Sequence, residues 1–204
     1  MKKWIFLLSI LMASCTQTNR VIDELYIDYF PTSTGMKWVY RTPDSLLVVR
    51  EVLQDSEVSP SLNLVQIEMM GEMEQYKKSP DLVSVIYEYS KFINGNEVIF
   101  EKSDLPLFYQ PVLKDEFFAD TLSRSVVLGD TFRYTRLFTS QITRGKSERK
   151  NLLFTINATL KKGGIEEKQS IYCFYELAPD TGPVYIKKIY NGDTLELHLE
   201  QFFK

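Results

Sequence analysis

The sequence predicts an all-β protein, mainly one antiparallel sheet, formed either as a half-barrel or as two packed β-meander halves, with a few short helical turns. Three observations predict it. Apolar residues alternate over strand-length runs, as at Val83, Val85, Tyr87 and Tyr89, and alternate side chains of a strand share a face. Two Asn-Gly pairs, Asn94-Gly95 and Asn191-Gly192, each stand between such runs. Both residue types tolerate the positive φ that a tight type I′ hairpin turn needs. The chain also carries 12 Tyr and 13 Phe, rings that favour a pleated, half-buried surface.

The start of the chain is of another kind. Lys2 and Lys3 precede an apolar run, and small residues precede Cys15, which is the layout of a secretory signal peptide. The run is too short to span a bilayer, which takes about 20 residues. Leu11-Met12-Ala13-Ser14-Cys15 resembles the lipobox of bacterial lipoproteins. That resemblance implies that residues 1–14 are removed, that the Cys15 sulfur is diacylated, and that its new amino group is acylated. Residues 15–25 then form the lipidated cysteine and its tether. Residues 26–204 form a single β domain, long enough for a real core. The tether lacks an early acidic cluster, since the first carboxylates are Asp23 and Glu24. This points to the outer membrane with the protein facing the periplasm.

From 21 to 26 the chain reads as a short helical turn or an extended lead-in. Pro31 and Gly35 bracket a turn, after which Trp38 and Tyr40 share one face of a strand. Strand patterns follow at 46–53, 62–69 and 82–92, and the last turns through Asn94-Gly95 into 98–100. Residues 105–113 are apolar but hold Pro106 and Pro111; proline cannot donate to a ladder, so this is a connector or an edge. Residues 115–120 are expected as a helical turn. From 126 strands resume, with Phe132, Tyr134 and Arg136 on one face. A charged loop covers 144–150. Strands at 152–160 and 169–177 flank a Gly163-Gly164 loop, and 184–190 pairs with 195–203 through Asn191-Gly192. In the last strand Leu195, Leu197 and Leu199 oppose Glu196, His198 and Glu200, as in a sheet with one wet side.

The chain also echoes itself. Gly35, Trp38 and Tyr40 share their spacing with Gly129, Phe132 and Tyr134, and each set is followed by an Asn-Gly hairpin. Two pseudo-repeats, about 29–104 and 123–204, fit this pattern. Tyr29-Phe30-Pro31 with Gly35, Trp38 and Tyr40 resembles the "YFP…G..W.Y" opening of a broad group of uncharacterised bacterial lipoproteins. Residues 178–184 resemble their "APG-G-V" turn, with Asp180 where a glycine is commoner. The resemblance implies all-β lipoproteins without assigned chemistry. Envelope carriers of the LolA/LolB kind, a half-barrel over an apolar cavity, are similar in size and class alone.

Composition and motifs exclude several functions. The formal charge is −3; without Lys2 and Lys3 there are 22 basic and 27 acidic side chains, or −5. Nucleic acid and anionic lipid both favour a basic face, so the membrane contact rests on the acyl chains of Cys15. Cys173 is then the one remaining cysteine, set among Tyr172 and Phe174, and reads as a buried inert thiol. One histidine, His198, and one spare cysteine make no zinc site, and no metal or cofactor is expected. No nucleophile elbow, Walker loop or dinucleotide fingerprint occurs. The carboxylate pairs Glu166-Glu167, Asp115-Glu116 and Glu72 with Glu74 read as solvated faces.

Ser45, Thr121 and Thr194 each follow an aspartate and precede a leucine. These triplets resemble an O-glycosylation signal of some bacterial periplasms, although Asp-Ser and Asp-Thr are also ordinary turn formers. The expected role is non-enzymatic: binding or carrying an apolar ligand or hydrophobic peptide, with Trp38, Tyr40, Phe132 and Tyr134 as ligand-facing or core aromatics. The alternative is a structural or assembly lipoprotein docking on another envelope protein complex. An open aromatic trough favours the first role, a filled core the second.

Overall fold

The computed structural model describes residues 27–204 apart from 111 and 113. The signal segment, Cys15, the tether and the lead-in at 21–26 lie outside the described residues. Twelve strands follow one another: β1 (Lys37–Arg41), β2 (Leu47–Ser59), β3 (Leu62–Met69), β4 (Glu72–Lys78), β5 (Leu82–Ile93), β6 (Asn96–Tyr109), β7 (Glu116–Leu128), β8 (Asp130–Arg144), β9 (Lys150–Lys162), β10 (Ile165–Ala178), β11 (Gly182–Tyr190) and β12 (Asp193–Phe203). They form one antiparallel sheet in the order β6-β5-β4-β3-β2-β1-β12-β11-β10-β9-β8-β7. The first and last strands therefore pair at its centre, from Lys37 opposite Phe203 to Arg41 opposite His198. Among the described residues the edges β6 and β7 share no ladder. The result is an up-and-down barrel with one open seam.

No helix occurs among the described residues. The expected helical turn at 115–120 is instead part of the lead-in to β7 and its first residues. Glu116 and Phe118 are half-buried with Phe117 exposed between them, a period of two, and each residue from 116 onward pairs with β8. The proline-bearing run at 105–113 is partly the edge strand β6. The register with β5 shifts beside Pro106, where Ser84 opposes Pro106 and Val83 opposes Phe108. Both Asn-Gly pairs form the expected hairpins, with φ of 53° and 82° at Asn94 and Gly95 and of 49° and 101° at Asn191 and Gly192. They join the fifth and sixth strands of each half. Of the two glycine–aromatic strands, the first is β1 and the second is β8.

A round barrel of this many strands is too wide for side chains to fill; about eight strands is the filled size. Here the half β1–β6 lies against the half β7–β12. Tyr89 packs on Tyr134 at 5.0 Å and Phe100 on Phe132 at 5.8 Å between ring centroids. The Tyr87 hydroxyl donates to Gln169 at 3.0 Å. Inward faces carry the alternating apolar residues, among them Val65, Ile67, Val83, Phe138, Ile156, Ile186 and Leu197. Outward faces carry Arg133, Thr135, Glu196 and His198. A transmembrane barrel has the reverse pattern, apolar outside. No helix of the described residues is long and apolar enough to cross a membrane.

The seam is held by side chains in place of a ladder. Glu101 on β6 accepts from Arg136 Nε at 3.0 Å and Tyr134 Oη at 2.6 Å, both on β8. Arg136 also reaches the Asp120 carboxylate on β7 at 3.1 Å. Ser140 donates to the Leu107 carbonyl at 2.8 Å. Burial alone would raise the Glu101 carboxyl, but hydrogen bonds from Arg136, Tyr134 and Ser103 outweigh it and hold it below its usual range,.

Alternate turns fall at alternate ends of a meander. We call the end where residue 27 enters proximal and the other distal. Residues 28–31 close the proximal end. The Asp28 carboxylate accepts from Lys78 at 2.6 Å, its carbonyl accepts from the Asp180 amide at 2.8 Å, and the Tyr29 hydroxyl donates to the Glu148 carbonyl at 2.7 Å. The two resemblance motifs meet here. Trp38 Nε1 donates to the Thr181 carbonyl at 2.6 Å and Tyr40 Oη to the Pro183 carbonyl at 2.8 Å. Gly182, at φ +81°, leaves only 3.3 Å between an added Cβ and Pro31 Cδ. Gly182→Ala should therefore lower stability by about 1–3 kcal/mol through left-handed strain and this contact. Gly164→Ala, at φ +87° with open space, should cost less. Chemical denaturation of the two variants checks the order.

Candidate functional site

Trp38, Tyr40, Phe132 and Tyr134, the aromatics singled out by sequence, are all buried, at 1%, 0%, 5% and 0% exposure. Trp38 stacks on Phe202 at 5.5 Å and Phe132 packs on Phe100. Their hydrogen-bonding atoms are engaged within the fold, as described above. They are core, and they border none of the three clefts described next.

Three surface clefts are lined mostly by polar residues. One of about 350 Å³ at the proximal end is bordered by Asp55, Asn63 and Lys78. One of about 310 Å³ lies between Lys91 on β5 and Glu167 on β10. One of about 540 Å³ is bordered by Arg133, Lys161 and Glu166. Among the described residues no group of three or more His, Cys, Asp or Glu side chains could hold a metal ion.

A buried ionic cluster lies between the halves. Residues 48, 50 and 52 share the inward face of β2, so Arg50 points into the core beside Val48 and Val52, with no exposed surface. Its guanidinium lies 5.3 Å from the Trp38 ring centroid and 5.9 Å from that of Phe30, a cation–π setting that faces part of the fork towards rings. Nη2 donates to Glu74 Oε2 at 3.0 Å, as does the Tyr76 hydroxyl. Among the described residues Nε and Nη1 have no hydrogen-bond partner. Lys188 on β11 contacts the other Glu74 oxygen. Glu74 thus links β2, β4 and β11.

One carboxylate cannot neutralise two enclosed cations. Arg50 cannot shed its proton, whereas Lys188 can. Burial and the Arg50 cation push the Lys188 ammonium down to about 7, with Glu72 pulling the other way,. The sequence reading placed Glu74 on a solvated face; alternation takes it inward with Tyr76, while Glu72 stays exposed. Arg50 and Lys188 were not singled out. The available signal was a cation at the apolar phase of a strand.

The distal end differs from the proximal one. Its six hairpins each present an exposed large apolar residue beside the tip: Leu46, Met70, Phe92, Val127, Ile165 and Tyr190, between 50% and 78% exposed. Ion pairs lie among them, Lys91–Glu167 at 2.7 Å, Lys161–Glu166 at 2.7 Å and Lys162–Asp130 at 2.8 Å. At the proximal end exposed large apolar residues flank two of the five turns, Val58 beside one and Tyr109 and Phe117 beside another, while Pro80, Glu148 and Asp180 mark the other three. No sequence pattern within one strand reveals the rim, because it is assembled by topology.

The other predicted residues fall as follows. Cys15 lies outside the described residues. Ser45, Thr121 and Thr194 are exposed. Burial pushes the Cys173 thiol up to about 12, so it is inert at neutral pH. His198 is on the surface, its ring 4.8 Å from that of Tyr185.

No family model and no curated protein matches the chain. Two solved structures are similar to it. One is a "putative lipoprotein" from Parabacteroides distasonis, 12% identical, TM-score 0.42, covering 87% of this chain and 99% of the other. The other is a "putative exported protein with YmcC-like fold" from Bacteroides fragilis, 15% identical, TM-score 0.35, covering 88% of this chain and 99% of the other.

The cluster predicts a pH dependence. Between pH 7 and the ordinary lysine value of 10.5, the unfolded chain holds a proton at position 188 that the folded chain lacks. Stability then rises with pH across that window and levels off below it. Lys188→Met removes this slope, whereas Glu74→Gln, which leaves Arg50 and Lys188 uncompensated, lowers stability by about 3–5 kcal/mol. Denaturant titrations at pH 6, 7.5 and 9 read both.

Proposed function

We propose that the chain is a non-enzymatic envelope lipoprotein that docks on a partner protein through its distal rim. The observation that carries this reading is the exposed apolar residue at each of the six distal hairpins. Single exposed apolar residues are ordinary, but one at every hairpin of the distal end, against two of five turns at the other, marks an interaction surface. The ion pairs among them favour a protein over a lipid surface, since a bilayer would have to desolvate those charges.

The anchor places the rim. Acylated Cys15 is joined to the proximal end by residues 16–26, which reach at most about 40 Å. Thirteen residues of strand rise about 43 Å, so the tether would be drawn out along the wall before the distal tips met the same leaflet. On this reading the rim faces into the periplasm from the outer membrane. The carrier reading loses its motive, because the aromatics it relied on are packed. The clefts described are lined mostly by polar residues, which suits neither lipid nor a hydrophobic peptide.

A photo-crosslinking amino acid at Ile165 or Phe92 in intact cells should give a discrete protein adduct, and one at outward Thr135 should not. Adducts to lipid alone would contradict a protein partner. Radiolabelled palmitate should enter the native chain and not Cys15→Ala; equal labelling of both would remove the anchor from the account.

A further inference from the structure

The two sheet edges are treated differently. Edge β6 is blunted in the ways natural sheets use. It carries Pro106, its register with β5 shifts twice, and the Ile99 and Leu107 carbonyls accept from Arg124 and Ser140. Edge β7 has fewer of these defences: the Asp120 carbonyl accepts from Arg136 at 3.2 Å, but no proline or bulge interrupts the strand. All of its residues from Glu116 to Leu128 pair with β8 without a register shift, and it contains no proline, glycine or lysine. None of its residues is fully buried, and among the described residues no strand pairs with its outer edge. Such an edge is a template for another strand.

The sequence of β7 fits a second copy of itself. Placed antiparallel about Leu122, each strand sets Asp120 opposite the other's Arg124 in both directions. Phe118 then meets Val126 and Phe117 meets Val127, aromatic and β-branched pairs that stabilise cross-strand contacts. Sliding by two residues either way about the axis would set Asp120 against Asp120 or Arg124 against Arg124, so charge selects the register. Both charged side chains are exposed. The Asp120 carboxylate keeps its bond to Arg136 while its side chain is 58% exposed, and Arg124 exchanges the Ile99 carbonyl for Asp120 of the second copy.

We propose that the protein self-associates as a twofold dimer through antiparallel pairing of β7 with β7 of a second copy, centred on Leu122. The interface is isologous, the same strand on both sides; it takes in Val127 of each rim and points the remaining rim residues of the two copies in opposite directions, so both tethers reach one leaflet with the strands lying along the membrane.

Sedimentation of the processed, detergent-solubilised protein tests this. The native chain should sediment as a dimer at micromolar concentration. Arg124→Glu and Asp120→Lys should each weaken self-association at least tenfold, because like charges then face one another. Mixed together, the two variants should restore a dimer, since each carboxylate of one copy then faces a cation of the other. A native chain that stays monomeric at about 100 µM, or a mixture of variants that does no better than either alone, overturns the proposal. Leu122→Cys gives an independent reading that leaves every charge in place. It should form a disulfide-linked dimer under mild oxidation, unlike Thr135→Cys on the outward face of β8; equal cross-linking of the two overturns the proposal.

Discussion

A ring of twelve antiparallel strands must either enclose a hollow or fold its walls together, because side chains cannot fill so wide a circle. This chain does the second. The walls meet through large rings, Tyr89 on Tyr134 and Phe100 on Phe132. The ring is left open at the one place where a hydrogen-bond ladder would have kept it round, between β6 and β7. Flattening explains why the aromatic content that invites a ligand-binding reading belongs to the core. It also moves any recognition surface to the exterior, where hairpin tips and a sheet edge are what remain.

Flattening brings polar groups inside, and two carboxylates organise them. Glu101 gathers Arg136 and Tyr134 across the open seam. Glu74 gathers Arg50, Tyr76 and Lys188 between the halves. Enclosed ion pairs add little net stability over apolar packing, yet they are costly to leave incomplete. Their effect is to select one way of laying the halves together, since any slip leaves a cation unpaired. The Phe30 and Trp38 rings over Arg50 connect this selection to residues 28–31, which close the proximal end. Entry of the tether and docking of the halves are therefore one packing problem.

Much of the fold was legible in local pattern. Period-two alternation gave the strand class and the inward faces of Trp38, Tyr40, Phe132 and Tyr134, and Asn94-Gly95 and Asn191-Gly192 gave two hairpins. The helical turn expected at 115–120 failed because Phe117 and Phe118 are adjacent in sequence but lie on opposite faces of a strand. The candidate site was much less legible. Arg50, Glu101 and Lys188 interrupt apolar phases, which sequence alone reads as frayed or exposed strands, and their partners lie on other strands. The distal rim depends on which turns share an end, and that follows from strand order rather than from any one segment.

A protein built this way has a closed proximal end and a packed interior, and on the proposed reading recognition falls to tips and edge. The packed interior is the premise on which the rest stands. Removal of residues 1–14 leaves Trp38 as the only tryptophan, and it is 1% exposed, beneath the closing segment and against Arg50. Iodide quenching of its fluorescence in the processed protein reads that premise directly. A packed interior predicts emission that iodide barely quenches until the chain is denatured. Ready quenching in the native state would show an open trough at this place and contradict it.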